Sequence, residues 1–312
     1  HRFIELMYEA GVPTDVLFCL PGDGEVGAAL THHPLCAGVA FTGSTQVARL
    51  IAQGLAAKEG PLAPLIAETG GINAMIVDST ALPEQVIDAV VLSAFRSAGQ
   101  RCSALRVLCL QSEIADELIE GIKGALELLR LGDPLHFSTD VGPIIDEQAL
   151  SNLLKHETQL REEGKHIGST PGVPEQGSFF APCAYELPTL ASIREEVFGP
   201  ILHIVRYEAK ALDALIETIN SWGYGLTLGI QSRITSRAEE IAKKLRVGNV
   251  YVNRSMIGAV VGVQPFGGQG LSGTGPKAGG PHYLSRFCTE QTVSINTAAA
   301  GGNATLLAHF GN

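Results

Sequence analysis

Short apolar runs that alternate with helix-length amphipathic stretches constrain this chain more than any other feature of it. Residues 2–10 read as a helix stopped by Gly11 and Pro13, residues 15–20 as a short strand, and residues 25–31 as a second helix. A strand at 38–41 runs into Thr42-Gly43-Ser44-Thr45, which opens a helix to about residue 58, and residues 65–67 form another buried strand ending at Glu68. Strands and helices that alternate in this way build a mostly parallel, doubly wound α/β sheet.

A second unit starts near Gly71. Strands are expected at 74–77, 105–110, 179–187, 201–207, 226–231 and 248–253, with helices at 83–98, 113–129, 147–163, 211–221 and 236–245. Pro83 opens the first of these helices, and Val86, Val90, Ala94 and Ser97 line one face of it at i, i+4 spacing. Residues 132–178 read as polar loops around the charged 147–163 helix, whose charges make a solvated face. From 258 to 280 the chain is so rich in glycine that it reads as a path wrapped over a site, with backbone close to a ligand. Residues 289–297 alternate as an edge strand would, which predicts pairing with a second copy.

With 312 residues there is room for about two domains, and a formal net charge of −10 argues against nucleic acid or an anionic membrane as partner. The six cysteines show no CxxC spacing, so a reducing cytoplasm is expected rather than a disulfide framework. No apolar window is long enough to span a bilayer, and no signal-peptide pattern opens the chain. Residues 1–5 read as the middle of an amphipathic helix without an initiator Met, which predicts a segment of a longer protein.

Cys102, in Gly99-Gln100-Arg101-Cys102-Ser103, follows an apolar helical stretch and a Gly-Gln turn. Nearby backbone N–H groups would lower its pKa and hold an oxyanion; an inert core cysteine is the alternative. Glu68 ends a buried strand before Thr69-Gly70-Gly71, where burial would raise its pKa and suit it to act as a base on water; a loop salt bridge is the alternative. Gly43 and Ser44 lie between a strand and a helix, as a pyrophosphate site does, although an ordinary N-cap reads equally well there. Glu196 and Phe198, in Arg194-Glu195-Glu196-Val197-Phe198-Gly199-Pro200, could meet ribose hydroxyls and a nicotinamide ring, or make a charged strand entry with a core Phe. His32-His33, His156 and His166 lack a matching set of acidic or thiol ligands, so no metal is expected.

Taken in order, Phe41-Thr42-Gly43-Ser44-Thr45, Glu68-Thr69-Gly70-Gly71, Gly99-Gln100-Arg101-Cys102, Glu195-Glu196-Val197-Phe198-Gly199-Pro200 and Pro265-Phe266-Gly267-Gly268 resemble the aldehyde dehydrogenase superfamily along the whole chain. The stretch from Asn253 to Gln264 and Gly275-Pro276-Lys277-Ala278-Gly279-Gly280-Pro281 resemble the L-glutamate γ-semialdehyde (Δ1-pyrroline-5-carboxylate) dehydrogenases within it, above all the C-terminal module of bifunctional proline utilization A. The resemblance implies an aldehyde dehydrogenase-like fold. It divides into the second half of an NAD-binding domain (1–70), a catalytic domain (71–272), a return to the NAD-binding domain (273–288) and an oligomerisation strand and tail (289–312).

The same resemblance implies a thiohemiacetal and then a thioester on Cys102, hydride transfer to NAD, and hydrolysis by a water that Glu68 activates. It gives Gly43 and Ser44 to the pyrophosphate, Glu196 to the nicotinamide ribose and Phe198 to the ring. Ser103 and the N–H groups of Gly258 and Ala259 take the substrate's α-carboxylate, Phe266 its aliphatic part, and Arg101 adds positive potential. An oxyanion-hole Asn, a ribose-binding Lys and the first cofactor-domain strands lie upstream of this chain in that family, so these residues alone are expected to be inactive. A flavin-dependent (FAD) proline dehydrogenase domain is expected upstream, together with homo-oligomerisation. A dehydrogenase of another semialdehyde and a non-catalytic assembly module are the competing readings.

Overall fold

A computed structural model describes residues 1–296. The chain opens with α1 (Arg2–Glu9) and α2 (Gly24–His32), followed by β1 (Val39–Thr42), α3 (Thr45–Ala57) and β2 (Leu65–Glu68). Strands β1 and β2 pair in parallel, with Val39 opposite Leu65 and Thr42 opposite Glu68. Helix α3 makes the crossover between them. Ser44 caps it by accepting the Val47 N–H, and Ala48, Ile51 and Leu55 form its buried stripe. Residues 15–20 form no strand. They lie exposed in a turn and loop, because an extended run needs a ladder partner and none among the described residues meets it.

The larger unit contains β3 (Ala74–Val77), α4 (Pro83–Phe95), β4 (Val107–Gln111), α5 (Ser112–Leu128), α6 (Glu147–Glu163), β5 (Lys165–Ser169), β6 (Cys183–Glu186) and β7 (Ile201–Tyr207). It continues through α7 (Leu212–Ser221), β8 (Tyr224–Gly225), β9 (Thr227–Gln231), α8 (Thr235–Lys244), β10 (Asn249–Val252) and β11 (Gln269–Gly270). Seven strands form one sheet in the order β10-β9-β3-β4-β7-β6-β5. Every neighbouring pair is parallel except β5 with β6 at the edge. Central β3 and β4 are buried along their whole length, as strands covered on both faces must be. Helix α5 seals one face with Ile114, Leu118, Ile122 and Leu126 at four-residue spacing, all buried. Each such side chain contributes on the order of 1.5–3 kcal/mol of burial.

Three boundaries depart from the sequence reading. Strand β5 was hidden by its exposed Lys165 and His166 and by the bulge between His166 and Gly168. The helix expected to reach residue 98 stops at Phe95, because Ser97, Ala98 and Gly99 take left-handed φ values of 57°, 53° and 63°. Residues 289–296 form no strand. They are exposed, no strand among the described residues pairs with 289–295, and 297–312 lie outside the described residues.

Gly99 cannot be replaced cheaply. A Cβ there would lie 2.3 Å from the Gly199 carbonyl oxygen, and its φ is positive. Gly124, exposed on α5 with nothing within 4 Å of the Cβ position, has neither restraint. In urea denaturation, Gly99→Ala is expected to destabilise the protein by about 2 kcal/mol or more. Gly124→Ala should instead stabilise it by about 0.5–1 kcal/mol.

Candidate active site

Two sheets meet here end to end. The carboxyl ends of β1 and β2 deliver Thr42-Gly43-Ser44 and Glu68, and the amino ends of β4 and β7 receive Cys102-Ser103 and Glu196-Phe198. The crevice beyond the carboxyl ends of parallel strands is where open α/β sheets bind ligands. A cavity of about 910 Å³ fills it, and every residue singled out from the sequence lines it: Cys102, Glu68, Gly43, Ser44, Glu196, Phe198, Ser103, Gly258, Ala259, Phe266 and Arg101. Thr42, Thr69, Gly70 and Gln100 complete the wall.

The turn that carries Cys102 is fixed from behind. The Asn73 side-chain amide donates to the carbonyls of Cys102 (2.6 Å) and Ala104 (2.9 Å), while its Oδ1 accepts the Thr227 N–H. Arg106 is entirely buried. It donates to the carbonyls of Gly99 (2.6 Å), Gly199 (3.2 Å) and Arg101 (2.9 Å) and to Glu196 Oε1 (3.2 Å), and its guanidinium lies 5.2 Å from the Phe198 ring centroid. The sequence reading missed Asn73 and Arg106. Their signal was a lone polar side chain inside or at the entry of an otherwise apolar strand, where only a fully satisfied group survives burial.

The thiol is not activated in this state. Burial and the neighbouring Glu196 carboxylate push Cys102 above the usual thiol range, with Glu68 adding to the rise. The N–H groups of Ser103 and of Cys102 itself reach the sulfur and act the other way, as expected from the sequence, but they are outweighed. Glu196 also sits above the ordinary carboxylate range, because burial outweighs Arg106 and the Gly71 N–H.

Glu68 is pushed up to about 7, chiefly by burial, with the Gly268 N–H and the Lys277 charge pulling it down. Its Oε2 accepts the Gly268 N–H at 3.3 Å, whereas Oε1 is buried with no hydrogen-bond partner among the described residues. Glycines make this placement possible: a Cβ at Gly267 would lie 2.5 Å from Glu68 Oε1, and one at Gly70 1.7 Å from Glu196 Oε2. Opposite, Gly258 turns with φ 83°, and among the described residues the N–H groups of Gly258 and Ala259 make no hydrogen bond within the chain. Arg101 holds Ser97 Oγ through its Nε at 3.0 Å, at the cavity wall.

A thiol and a carboxyl group share one crevice between a parallel β1-α3-β2 unit and a mostly parallel seven-stranded sheet, an α/β architecture. The Aldehyde dehydrogenase family model matches residues 1–293, and the chain belongs to that family. It is 51% identical over 302 residues to the Bifunctional protein PutA of Escherichia coli, covering 93% of this chain and 23% of that protein. A solved Bradyrhizobium japonicum Proline Utilization A variant superimposes with a TM-score of 0.92 at 59% identity, over 96% of this chain and 31% of the other. The 1-pyrroline-5-carboxylate dehydrogenase from Thermus, solved with bound NAD, gives 0.86 at 36% identity, over 92% and 56%. The chain thus spans about a quarter of the bifunctional relatives and little more than half of the single-function one.

Removing the Glu196 charge should lower the Cys102 pKa, since that carboxylate opposes the thiolate. Iodoacetamide should therefore label Cys102 faster in Glu196→Gln than in wild type at pH 7.5. An unchanged or slower rate would show that Glu196 does not restrain the thiol.

Proposed function

We propose that this chain carries the nucleophile, base and substrate loop of an NAD-dependent L-glutamate γ-semialdehyde dehydrogenase, the second step of proline catabolism. One observation carries the reading. A free thiol and a carboxyl group with a pKa of about 7 share a cavity with unpaired backbone N–H donors on its far wall. The Cys102 thiol gives its proton to water, Sγ bonds to the aldehyde carbon as the C=O π pair moves onto oxygen, and the Cys102 and Ser103 N–H groups stabilise that oxygen. When bound, NAD would supply the hydride acceptor, and loss of hydride from the Cys102 adduct would leave a thioester on the sulfur. Glu68 then takes a proton from water, the water oxygen bonds to the acyl carbon, and the C–S bond breaks to release glutamate and the thiol.

The residues present fit the cofactor. Gly43 and Ser44 lie at the N-terminus of α3, where first-turn amides and the helix dipole favour a pyrophosphate. Gly70 leaves room for Glu196 beside the ribose position, the Gly71 N–H bonds the same carboxylate, and half-exposed Phe198 stands ready to flank the ring. Two free N–H groups at Gly258 and Ala259 suit an α-carboxylate, with Ser103 adding a hydroxyl, Phe266 an apolar wall and Arg101 positive charge.

In this reading residues 1–70 are half of the cofactor domain, 71–272 the catalytic domain and 273–288 the return path. Along that path Thr274 exchanges hydrogen bonds with Ala67 beside β2. The oligomerisation role expected of 289–312 remains part of this reading, although residues 289–296 form no strand here. The shares of the relatives covered support a longer parent protein with a flavin-dependent proline dehydrogenase domain upstream. The six free cysteines fit a cytoplasmic setting, and among the described residues no helix is long and apolar enough to cross a membrane.

The test is NADH formation by the native protein that carries these residues. Glutamate γ-semialdehyde should be turned over well ahead of succinate semialdehyde, and Cys102→Ser should abolish the reaction. Glu68→Gln should keep a single-turnover NADH burst while steady-state kcat falls about 10²–10⁴-fold. Wild-type kcat should decline as pH drops through about 7, because an acid of that pKa is a base only when ionised. Preference for succinate semialdehyde would redirect the substrate assignment, and full activity of Cys102→Ser would refute the mechanism. The isolated 312-residue chain should be inactive; measurable NADH formation by it would overturn that part.

A further inference from the structure

Lys277 lies outside the set of residues just assigned, yet three contacts link it to Glu68. Its ammonium donates to the Gly248 carbonyl. Gly248 is packed so tightly on Gly267 that a Cβ there would lie 1.8 Å from the Gly267 carbonyl oxygen. Next to Lys277, Ala278 exchanges two backbone hydrogen bonds with Phe266, at 2.8 and 3.0 Å, and so fixes the residue that leads into Gly267-Gly268. That glycine pair is the surface on which the Glu68 carboxyl rests. The Asn249 side chain clasps the same loop from the other side, donating to the Pro265 carbonyl and accepting the Gly267 N–H.

We propose that Lys277 is the positioning residue of Glu68: tied to Gly248, its ammonium holds the Gly267-Gly268 cradle and supplies the positive charge that keeps Glu68 available as a carboxylate. The inference rests on the reading of Glu68 as the base for thioester hydrolysis. Its physical need is plain. One oxygen of Glu68 is buried with no hydrogen-bond partner among the described residues, and an unpaired buried carboxylate gives up its charge unless a cation compensates it. Of the groups around Glu68, the glycines at 267, 268 and 273 bring no ionisable side chain, and Cys102 faces it across the cavity. Glu196 lines the same cavity and acts on Cys102, in the unfavourable direction. Against the burial that lifts the acid to about 7, the Gly268 N–H acts first and the Lys277 charge second, and among the described residues Lys277 is the favourable charge acting on Glu68.

The position and the charge can be separated in the native protein. Lys277→Met removes both the tie and the charge, Lys277→Gln keeps a donor for Gly248 without the charge, and Lys277→Arg keeps the charge. In the pH profile of steady-state kcat, the acid limb of the Met and Gln variants should move up by about one pH unit. That shift lowers kcat at pH 7 about fivefold, with recovery above pH 9. The NADH burst should keep its amplitude, and the Arg variant should restore the wild-type limb. A limb that stays in place in both the Met and the Gln variant, whatever their absolute rates or stabilities, would overturn the proposal, because a merely structural lysine lowers activity equally at every pH. Glu68→Gln run in parallel keeps the two readings apart. If it retains the acid limb and full turnover, the base assignment fails; if it loses both while the lysine variants titrate normally, the Lys277 inference alone fails.

Discussion

The buried guanidinium of Arg106 is the interaction on which the site depends. Desolvating a cation costs several kcal/mol, and it persists only where hydrogen bonds and counter-charge replace the lost water. Arg106 finds three carbonyls, the Glu196 carboxylate and the face of Phe198. Those partners come from two separate segments on the seven-stranded-sheet side of the crevice. Gly99 and Arg101 belong to the turn that presents the thiol, and Glu196, Phe198 and Gly199 to the approach to β7. One side chain therefore sets the spacing between the nucleophile and the wall assigned to the cofactor. Removing it would strand an acid and three carbonyl oxygens in a dry interior.

The resting electrostatics follow from that clamp. It holds Glu196 close enough to Cys102 to oppose ionisation of the thiol, so a reactive sulfur is not left exposed when nothing is bound. The left-handed run from Ser97 to Gly99 is part of the same arrangement. Strained backbone of this kind persists where surrounding contacts over-determine it, and here Arg106 holds the Gly99 carbonyl while Gly99 packs on Gly199. Glu68, by contrast, is held loosely by one long hydrogen bond. A base that must reach water and then release a proton benefits from that freedom.

Much of this architecture was legible in the sequence because it follows from periodicity and punctuation. Pro83 and the Val86–Val90–Ala94 stripe located α4, and the apolar runs at 74–77 and 201–207 gave β3 and β7 with their observed limits. The cavity residues were legible as motifs bordered by glycine. The lost features are those that depend on distant partners. Strand β5 owes its existence to β6 and carries little apolar signal of its own, and the 15–20 run looked like a strand but finds no ladder. Arg106 and Asn73 act through residues up to 154 positions away, such as the Thr227 N–H on Asn73. No local pattern encodes such a contact. The sign of the Cys102 shift was lost for the same reason: the backbone donors are local, whereas the opposing carboxylate arrives from the approach to β7.

The central claim is that one sulfur carries the acyl group and one carboxyl group releases it. Peptide mass spectrometry of the native protein, quenched during turnover of glutamate γ-semialdehyde, tests this most directly. A glutamyl thioester should be found on the Cys102 peptide, with high occupancy in acid and falling occupancy as pH rises through about 7, where Glu68 ionises. An acyl adduct on another residue, or sustained NADH formation with no adduct on Cys102 at any pH, would contradict the account.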